Sequence, residues 1–374
     1  MPKFLDILPF SMPNVTVLDF GHFDVLNSNL MTQLTLSFPN IVSLNLLRAI
    51  NPQGDREILE LNNAIFNEFA FPKIRRIVLD DLCCCEYSRK YLVDSNLRTF
   101  FKWDRRLEYI SLSLGSYRIG GILNASFANT LTALDIIQNV MLLEDFSTVG
   151  RLEGLVTLFI PCDGGTGEDI MHLKSLRSLE HLHLYCNTDD EIITDEEYAE
   201  FFKLPGDNPG HFFPSKLRYL QIERTGGFGR LAIDALTTSC PNMESLSVTC
   251  SSTIDGEFLK CISRRLSKIK FLDISCLPKE SYYSLDLLKD HDLAYLQYLR
   301  LLYAKIKRPL FAKLIRHRPH LIIEGPEPRQ ILTLVTKYGG SVSGKRPSDF
   351  DWNSLQNDFL EIPGFCCISG SRVY

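Results

Sequence analysis

The chain has 374 residues, 45% hydrophobic and 23% charged, and its 40 basic against 45 acidic residues leave a net charge of -5. That balance describes a globular chain with no global preference for nucleic acid, which is not an expected partner. Its eleven cysteines are odd in number and follow no regular framework, which points to free thiols in a reducing compartment rather than to a disulfide scaffold.

The first ten residues lack the apolar core and small-residue cleavage site of a secretory signal, and no apolar run reaches membrane-spanning length. A cytoplasmic or nuclear location is the expectation. From Val15 onward one spacing, φ-x-x-φ-x-φ with φ an apolar residue, returns along the chain. Its first φ falls at Val15, Ile41, Ile74, Leu107, Leu131, Leu155, Leu179, Leu217, Met243, Ile269 and Leu296, with a degraded unit at Leu321. Successive units are 24–27 residues apart except for gaps of 33, 33 and 38, which is the period and strand signature of leucine-rich repeats. One such strand cannot cover its own apolar positions, but stacked neighbours can. The expected fold is therefore α/β: a leucine-rich-repeat solenoid (horseshoe) with a parallel inner sheet, a helical outer face and about twelve repeats.

The outer elements read as helices where apolar residues share a face. Leu30, Met31 and Leu34 do so within 27–38, before Pro39 ends the run. Leu231, Ala235 and Leu236 do so within 231–240, before Pro241. Proline stops both helices because it has no amide hydrogen to donate and restricts the residue before it. The longest unit contains an insertion at 187–215, where Thr194 followed by Glu197 has capping-box spacing and predicts a short helix through Phe202. The expected domains are 1–324 for the repeats, including that insertion, and 325–374 for a C-terminal cap or tail, with helices at Arg329 to Tyr338 and Asp349 to Leu360.

Side chains alternate across a strand, so the x positions leave the core and face inward along the coil. In the middle repeats this places Tyr109, Phe159, His181, His183, Tyr185, Tyr219, Gln221 and Glu223 on one face. Aromatic rings beside polar groups are the usual composition of a protein-binding surface, and the same residues could instead pack on one another or under the insertion. His181, His183 and Cys186, with Cys162 at the equivalent strand exit, carry zinc-compatible donors without the compact ligand spacing of a zinc site. Asp189 to Glu200 holds seven acids and no base, and Arg300 to Arg318 holds seven bases and no acid, a polarity that could steer a partner or simply be solvated.

Gly164 to Gly167 and Gly226 to Gly229 lack the lysine and hydroxyl of a phosphate-binding loop and read as turns after strands. Cys83 to Cys85 has no base fixed nearby and reads as ordinary loop thiols. No nucleophile–base or paired-carboxylate spacing emerges, no cofactor is implied, and a non-enzymatic role is expected.

The run Leu236 to Val248, in which a helix ends at Cys240-Pro241 before Met243, Leu246 and Val248, resembles the cysteine-containing repeats of F-box/leucine-rich-repeat ubiquitin-ligase substrate receptors. Cys250 and Cys276, just after their strands, extend the resemblance, which spans roughly Pro13 to Glu324. It implies a substrate receptor working with Skp1/cullin machinery. Only fourteen residues precede Val15, where that family carries its helical F-box. The leading expectation is a recognition scaffold that binds a protein on its concave face. A regulator, activator or inhibitor, of a small GTPase or of another enzyme is the alternative from another class, and Arg48 and Arg224 would be candidate exposed arginines for a GTPase activator.

Overall fold

The structure is a computed structural model. It describes residues 14–20, 28–46, 60, 63–65, 69–80, 106–113, 127–136, 143–162, 165–186, 193–204, 213–224, 226–278, 282, 285, 292–304, 306, 309, 313–314, 317–318 and 321–324. Cys83 to Cys85, Arg48 and the expected tail helices lie outside these residues.

The chain gathers into two compact units, residues 1–164 and 165–374. The first carries strands β1 (Val17–Asp19), β2 (Ser43–Asn45), β3 (Arg76–Asp80), β4 (Tyr109–Ser113), β5 (Ala133–Asp135) and β6 (Thr157–Pro161). Consecutive strands pair parallel from β1 to β6, with Leu18, Leu44, Ile77, Ile110, Leu134 and Leu158 in one line of register. The second carries β7 (His181–Tyr185), β8 (Tyr219–Glu223), β9 (Ser245–Thr249), β10 (Phe271–Asp273), β11 (Tyr298–Arg300) and β12 (Ile322–Glu324). Its strands also pair parallel in chain order, with Leu182, Leu220, Leu246, Leu272, Leu299 and Ile323 in register. This is an α/β leucine-rich-repeat solenoid.

The apolar pattern explains the coil. In β9 and its approach, Met243, Leu246 and Val248 are completely buried, and in β8 Leu217, Leu220 and Ile222 are at most 1% exposed. Each repeat hands its core residues to the next, so burial that one unit could not supply comes from stacking.

The described helices are α1 (Ser28–Ser37), α2 (Leu143–Val149), α3 (Gly167–Met171), α4 (Asp195–Phe202), α5 (Arg230–Ser239) and α6 (Phe258–Arg265). α5 buries Ala232, Ile233 and Leu236, while Leu231 is 49% exposed, so the apolar face is rotated from the one expected through Leu231 and Ala235. The rotation follows from the helix end: Cys240 and Leu236 must both reach the core. Cys240 is fully buried, donates its thiol hydrogen to the Pro214 carbonyl 26 residues earlier at 3.4 Å, and its pKa is raised by burial. The cysteine of the Cys-Pro motif is therefore a stitch between consecutive repeats rather than a reactive group.

The described part of the insertion is structural. Thr194 and Glu197 form the expected capping box, with Glu197 N to Thr194 Oγ1 at 3.2 Å and Thr194 N to Glu197 Oε2 at 2.8 Å. Asp195 does more than favour its own helix start. Its carboxylate accepts from the amides of Gly229, Leu231 and Ala232 at 2.9, 2.9 and 2.8 Å, capping α5, whose own N-cap glycine has no side chain to offer. Tyr198, Phe201 and Phe202 are fully buried and cluster with Phe213 and Phe228. Gly226 and Gly227 lie in a turn after β8, as expected, and the glycines also allow close approach. A Cβ on Gly227 would sit 1.7 Å from the Ile193 carbonyl oxygen, and one on Gly167 would sit 2.1 Å from Glu197 Cδ.

Candidate functional site

The strands of the second unit present two rows of side chains away from the core. The first row is His181, Tyr219, Ser245, Phe271, Tyr298 and Ile322, and the second is His183, Gln221, Ser247, Asp273, Arg300 and Glu324, each residue level with its neighbour in the register. The register thus brings together six of the expected site residues on β7 and β8: His181, His183, Tyr185, Tyr219, Gln221 and Glu223. Tyr109 and Phe159 occupy strand positions in the first unit, on β4 and β6, and each is only 6% exposed. Neither offers a free ring surface there.

The first row is organised as two stacked ring pairs. His181 lies on Tyr219 with centroids 4.2 Å apart and planes 12° apart, and Phe271 lies on Tyr298 at 5.1 Å and 6°. Between them stands Ser245, 8% exposed, with Ser247 at 5% in the second row. Both serines hold x positions of the unit starting at Met243, which alternation turns away from the core. Their short side chains lie lower than the rings and polar chains on either side, so the flanking residues cover them.

The second row is polar. Gln221 donates Nε2–H to Glu223 Oε1, and His183 Nε2 lies 3.6 Å from the same oxygen. Burial pushes the His183 pKa down to about 3, and burial followed by the nearby Arg218 charge lowers His181 to about 4. Both imidazoles are neutral at physiological pH. Glu223 is raised, first by burial. On the other side of Ser247, Asp273 accepts from the backbone and hydroxyl of Ser275 at 3.0 and 2.6 Å and faces Arg300 at 3.7 Å. Arg300 donates Nε–H to Glu324 at 2.7 Å, and Tyr298 donates its hydroxyl to the same carboxylate.

A charged ladder borders the strand entries. Glu244, 8% exposed, accepts from Arg218 Nε at 2.8 Å and Lys270 Nζ at 2.7 Å, and Arg218 also reaches Glu180 at 3.9 Å. The Arg218 guanidinium lies 6.0 Å from the Tyr219 ring centroid, within cation–π range.

Phe271, Asp273, Tyr298 and Arg300 were not among the expected site residues. The signal for them was present, since they hold the x positions of the units starting at Ile269 and Leu296. In the basic stretch, Arg300 is paired as above and Arg318 is 9% exposed with Nη1 on the Leu293 carbonyl at 3.1 Å, so neither belongs to a solvated basic face. Of the acidic stretch, Asp195 and Glu197 are committed to caps. Among the described residues, no group of three or more His, Cys, Asp or Glu could hold a metal ion, and no helix is long and apolar enough to cross a membrane.

No protein-family model matches the chain, and no curated protein matches it in sequence. Solved structures do match its architecture. Rad7, from the crystal structure of the yeast Rad7 and Elc1 complex, aligns with TM-score 0.52 and 13% identity over 86% of this chain and 87% of that one. An internalin from Listeria monocytogenes aligns with TM-score 0.46 and 15% identity over 84% of this chain and 88% of its own. At 13% identity the likeness to Rad7 concerns the fold alone.

Proposed function

We propose that this chain is a non-enzymatic protein-recognition scaffold whose partner lies across β7 to β11 of the second unit. The observation that carries the reading is the pair of ring stacks, each with one buried and one half-buried ring, set beside a polar row. Tyr185, Tyr219 and Phe271 keep part of their rings accessible, and they are held in place by stacking and by neighbouring hydrogen bonds, so little side-chain freedom is lost when a partner arrives. Arginine and aromatic side chains in one rigid patch are the residue types that dominate binding energy in protein interfaces. With neutral imidazoles, and with Arg300 shared between Asp273 and Glu324, the patch carries little positive charge, which suits a partner surface of aromatic and hydrogen-bond-donating groups. The site adds Phe271, Asp273, Tyr298 and Arg300 to the six residues of β7 and β8, and leaves out Tyr109 and Phe159, which belong to β4 and β6 of the first unit.

At the finer level we infer a substrate-receptor role in ubiquitin-ligase regulation. The support is the cysteine-proline repeat resemblance together with a fold neighbour crystallised in complex with Elc1. The test is affinity capture from native extract with quantitative mass spectrometry, using the wild type and a Tyr219→Ala/Phe271→Ala variant checked for folding by circular dichroism. Specific protein partners should be recovered with the wild type and reduced at least about tenfold with the variant, as expected when hot-spot rings are truncated. Skp1, cullin or Elc1-type subunits should be retained by both proteins if the ligase reading holds. Partners recovered equally by both would remove the ring patch as the binding site, and a partner set without ligase subunits would remove the finer role.

A further inference from the structure

Past the ends of β8, β9 and β10 the chain repeats one local geometry that the recognition reading does not use. Arg224, Cys250 and Cys276 all adopt left-handed backbone conformations, with φ of 55°, 56° and 57°. Each amide donates to the next strand's chain: Arg224 to Thr249 at 3.0 Å, Cys250 to Ser275 at 3.2 Å and Cys276 to Leu302 at 2.9 Å. The β9–β10 register, in which Ser247 faces Asp273, thus continues three residues further and sets Cys250 directly beside Cys276. Neighbouring strands run about 4.8 Å apart, within the Cα separation a disulfide requires. Three non-glycine residues in a left-handed conformation at consecutive repeats turn their side chains the same way, so the two thiols share one edge of the sheet.

The surroundings distinguish the two sulfurs. Cys250 is exposed and Cys276 half-buried. Interaction with the neighbouring Cys276 side chain, aided by the Arg224 charge and opposed by burial and by Glu223 and Asp273, holds the Cys250 pKa down to about 7. That of Cys276 is raised, first by the same interaction and then by burial. One thiol is therefore prepared to ionise and its neighbour to hold a proton, the division of labour between an attacking and a resolving thiol.

We propose that Cys250 and Cys276 are a thiol–disulfide exchange site for low-molecular-weight disulfides of the glutathione type. The Cys250 thiolate attacks one sulfur of the small disulfide. A Cys250–small-thiol bond forms, the small disulfide's own bond breaks, and the departing thiolate takes up a proton. Cys276 then loses its proton to solvent and attacks Cys250 Sγ, forming the Cys250–Cys276 bond and expelling the second small thiolate, which is protonated in turn. Two protein thiols are oxidised by two electrons and one small disulfide is reduced to two thiols, with protons balanced. The product ties the end of β9 to the end of β10. This inference is independent of the partner-binding reading, since it uses neither ring stack.

At neutral pH a thiol titrating near 7 is about half ionised, against about 3% for an ordinary thiol near 8.5. The weaker base is also the weaker nucleophile, so the net gain in attack rate is roughly threefold. Cys261, half-buried on α6, is the internal comparator. The reduced full-length chain is incubated with oxidised glutathione, quenched in acid, alkylated and mapped by peptide mass spectrometry. The expected product is a peptide linked through Cys250 and Cys276, reversed by dithiothreitol, with Cys250 reacting about threefold faster than Cys261. Cys276→Ser should trap glutathione on Cys250, and Arg224→Gln should slow Cys250 roughly twofold. A wild-type chain that keeps glutathione on Cys250 without forming the link, or in which Cys250 reacts no faster than Cys261, overturns the proposal without reliance on any variant's folding.

Discussion

The two stacked ring pairs on the second unit, His181 with Tyr219 and Phe271 with Tyr298, meet the same geometric demand with different electrostatics. Both fill neighbouring strand positions with parallel rings, where rings packed at ladder spacing exclude water from the row beneath. Beside His181 and Tyr219 that row holds the neutral His183 imidazole and Gln221, which donates to the buried Glu223 carboxylate, whereas beside Phe271 and Tyr298 it holds an Asp273–Arg300–Glu324 ion network. The first pair is thus sensitive to acid, and the second depends on charges remaining matched. The difference shows that ring stacking in a repeat protein sets geometry, while the adjacent row decides under which conditions that geometry holds.

The largest effect is expected on the charged side. Asp273 is 5% exposed, and its carboxylate is tolerated because Ser275 and Arg300 face it. Arg300→Met removes the cation that links Asp273 with Glu324, leaving a buried carboxylate short of a partner and the Tyr298 hydroxyl on an unneutralised acid. We expect a loss of about 3 kcal/mol in urea-unfolding free energy with the m-value unchanged. A loss below about 1 kcal/mol would mean that Asp273 is protonated in the folded protein and that the two ring pairs do not differ as described.

Acid should act on the other pair. His181 and His183 fall from about 6.5 in the unfolded chain to about 4 and about 3 when folded, so between pH 6.5 and 4 the unfolded state binds more protons. Their contribution is fully present above pH 6.5 and is lost as pH falls toward the folded values. Arg218 opposes protonation of His181, Glu244 favours it, and the raised Glu223 and Asp273 carboxyls work in the opposite sense at lower pH. The expected cost from pH 7 to 5.5 is about 1 kcal/mol per histidine, and His183→Gln should flatten the slope by that amount. Thermal melts at the two pH values check this; an unchanged slope in the variant would place the acid sensitivity elsewhere.

How much of this could be read in the sequence follows from which forces each residue obeys. Leu246, Leu272 and Leu299 announce the core because burial selects for apolar type at fixed spacing, and so the solenoid, the capping box at Thr194 and the helix stop at Pro241 were all legible. The inner-face positions were legible as positions: alternation placed His183, Tyr219 and Gln221 correctly. Exposure was not, because it depends on the height of neighbours on other strands, which is why Tyr109 and Phe159 are covered and why Ser245 and Ser247 are walled in. Asp195 was read as surface charge because nothing local tells that its carboxylate reaches amides 34 to 37 residues further on. Phe271 and Tyr298 hold the same x positions in regular repeats, and position alone does not tell which of the x residues stack across strands.

The smallest expected effect lies between the two pairs and has the opposite sign. Ser247 is 5% exposed, and its hydroxyl finds no hydrogen-bond partner among the described residues. A buried hydroxyl without a partner is a cost to the folded state, so Ser247→Ala should stabilise the protein by about 0.5–1 kcal/mol rather than weaken it. The cavity left by one oxygen is too small to offset that gain, and the alanine methyl keeps the strand's packing. Thermal or urea unfolding decides the sign. If the variant is less stable, water reaches Ser247 between the ring pairs and the serines line an open cleft. If it is more stable while binding a partner less tightly, the stranded hydroxyl is part of the recognition surface, and the strand between the two ring pairs carries function at the expense of stability.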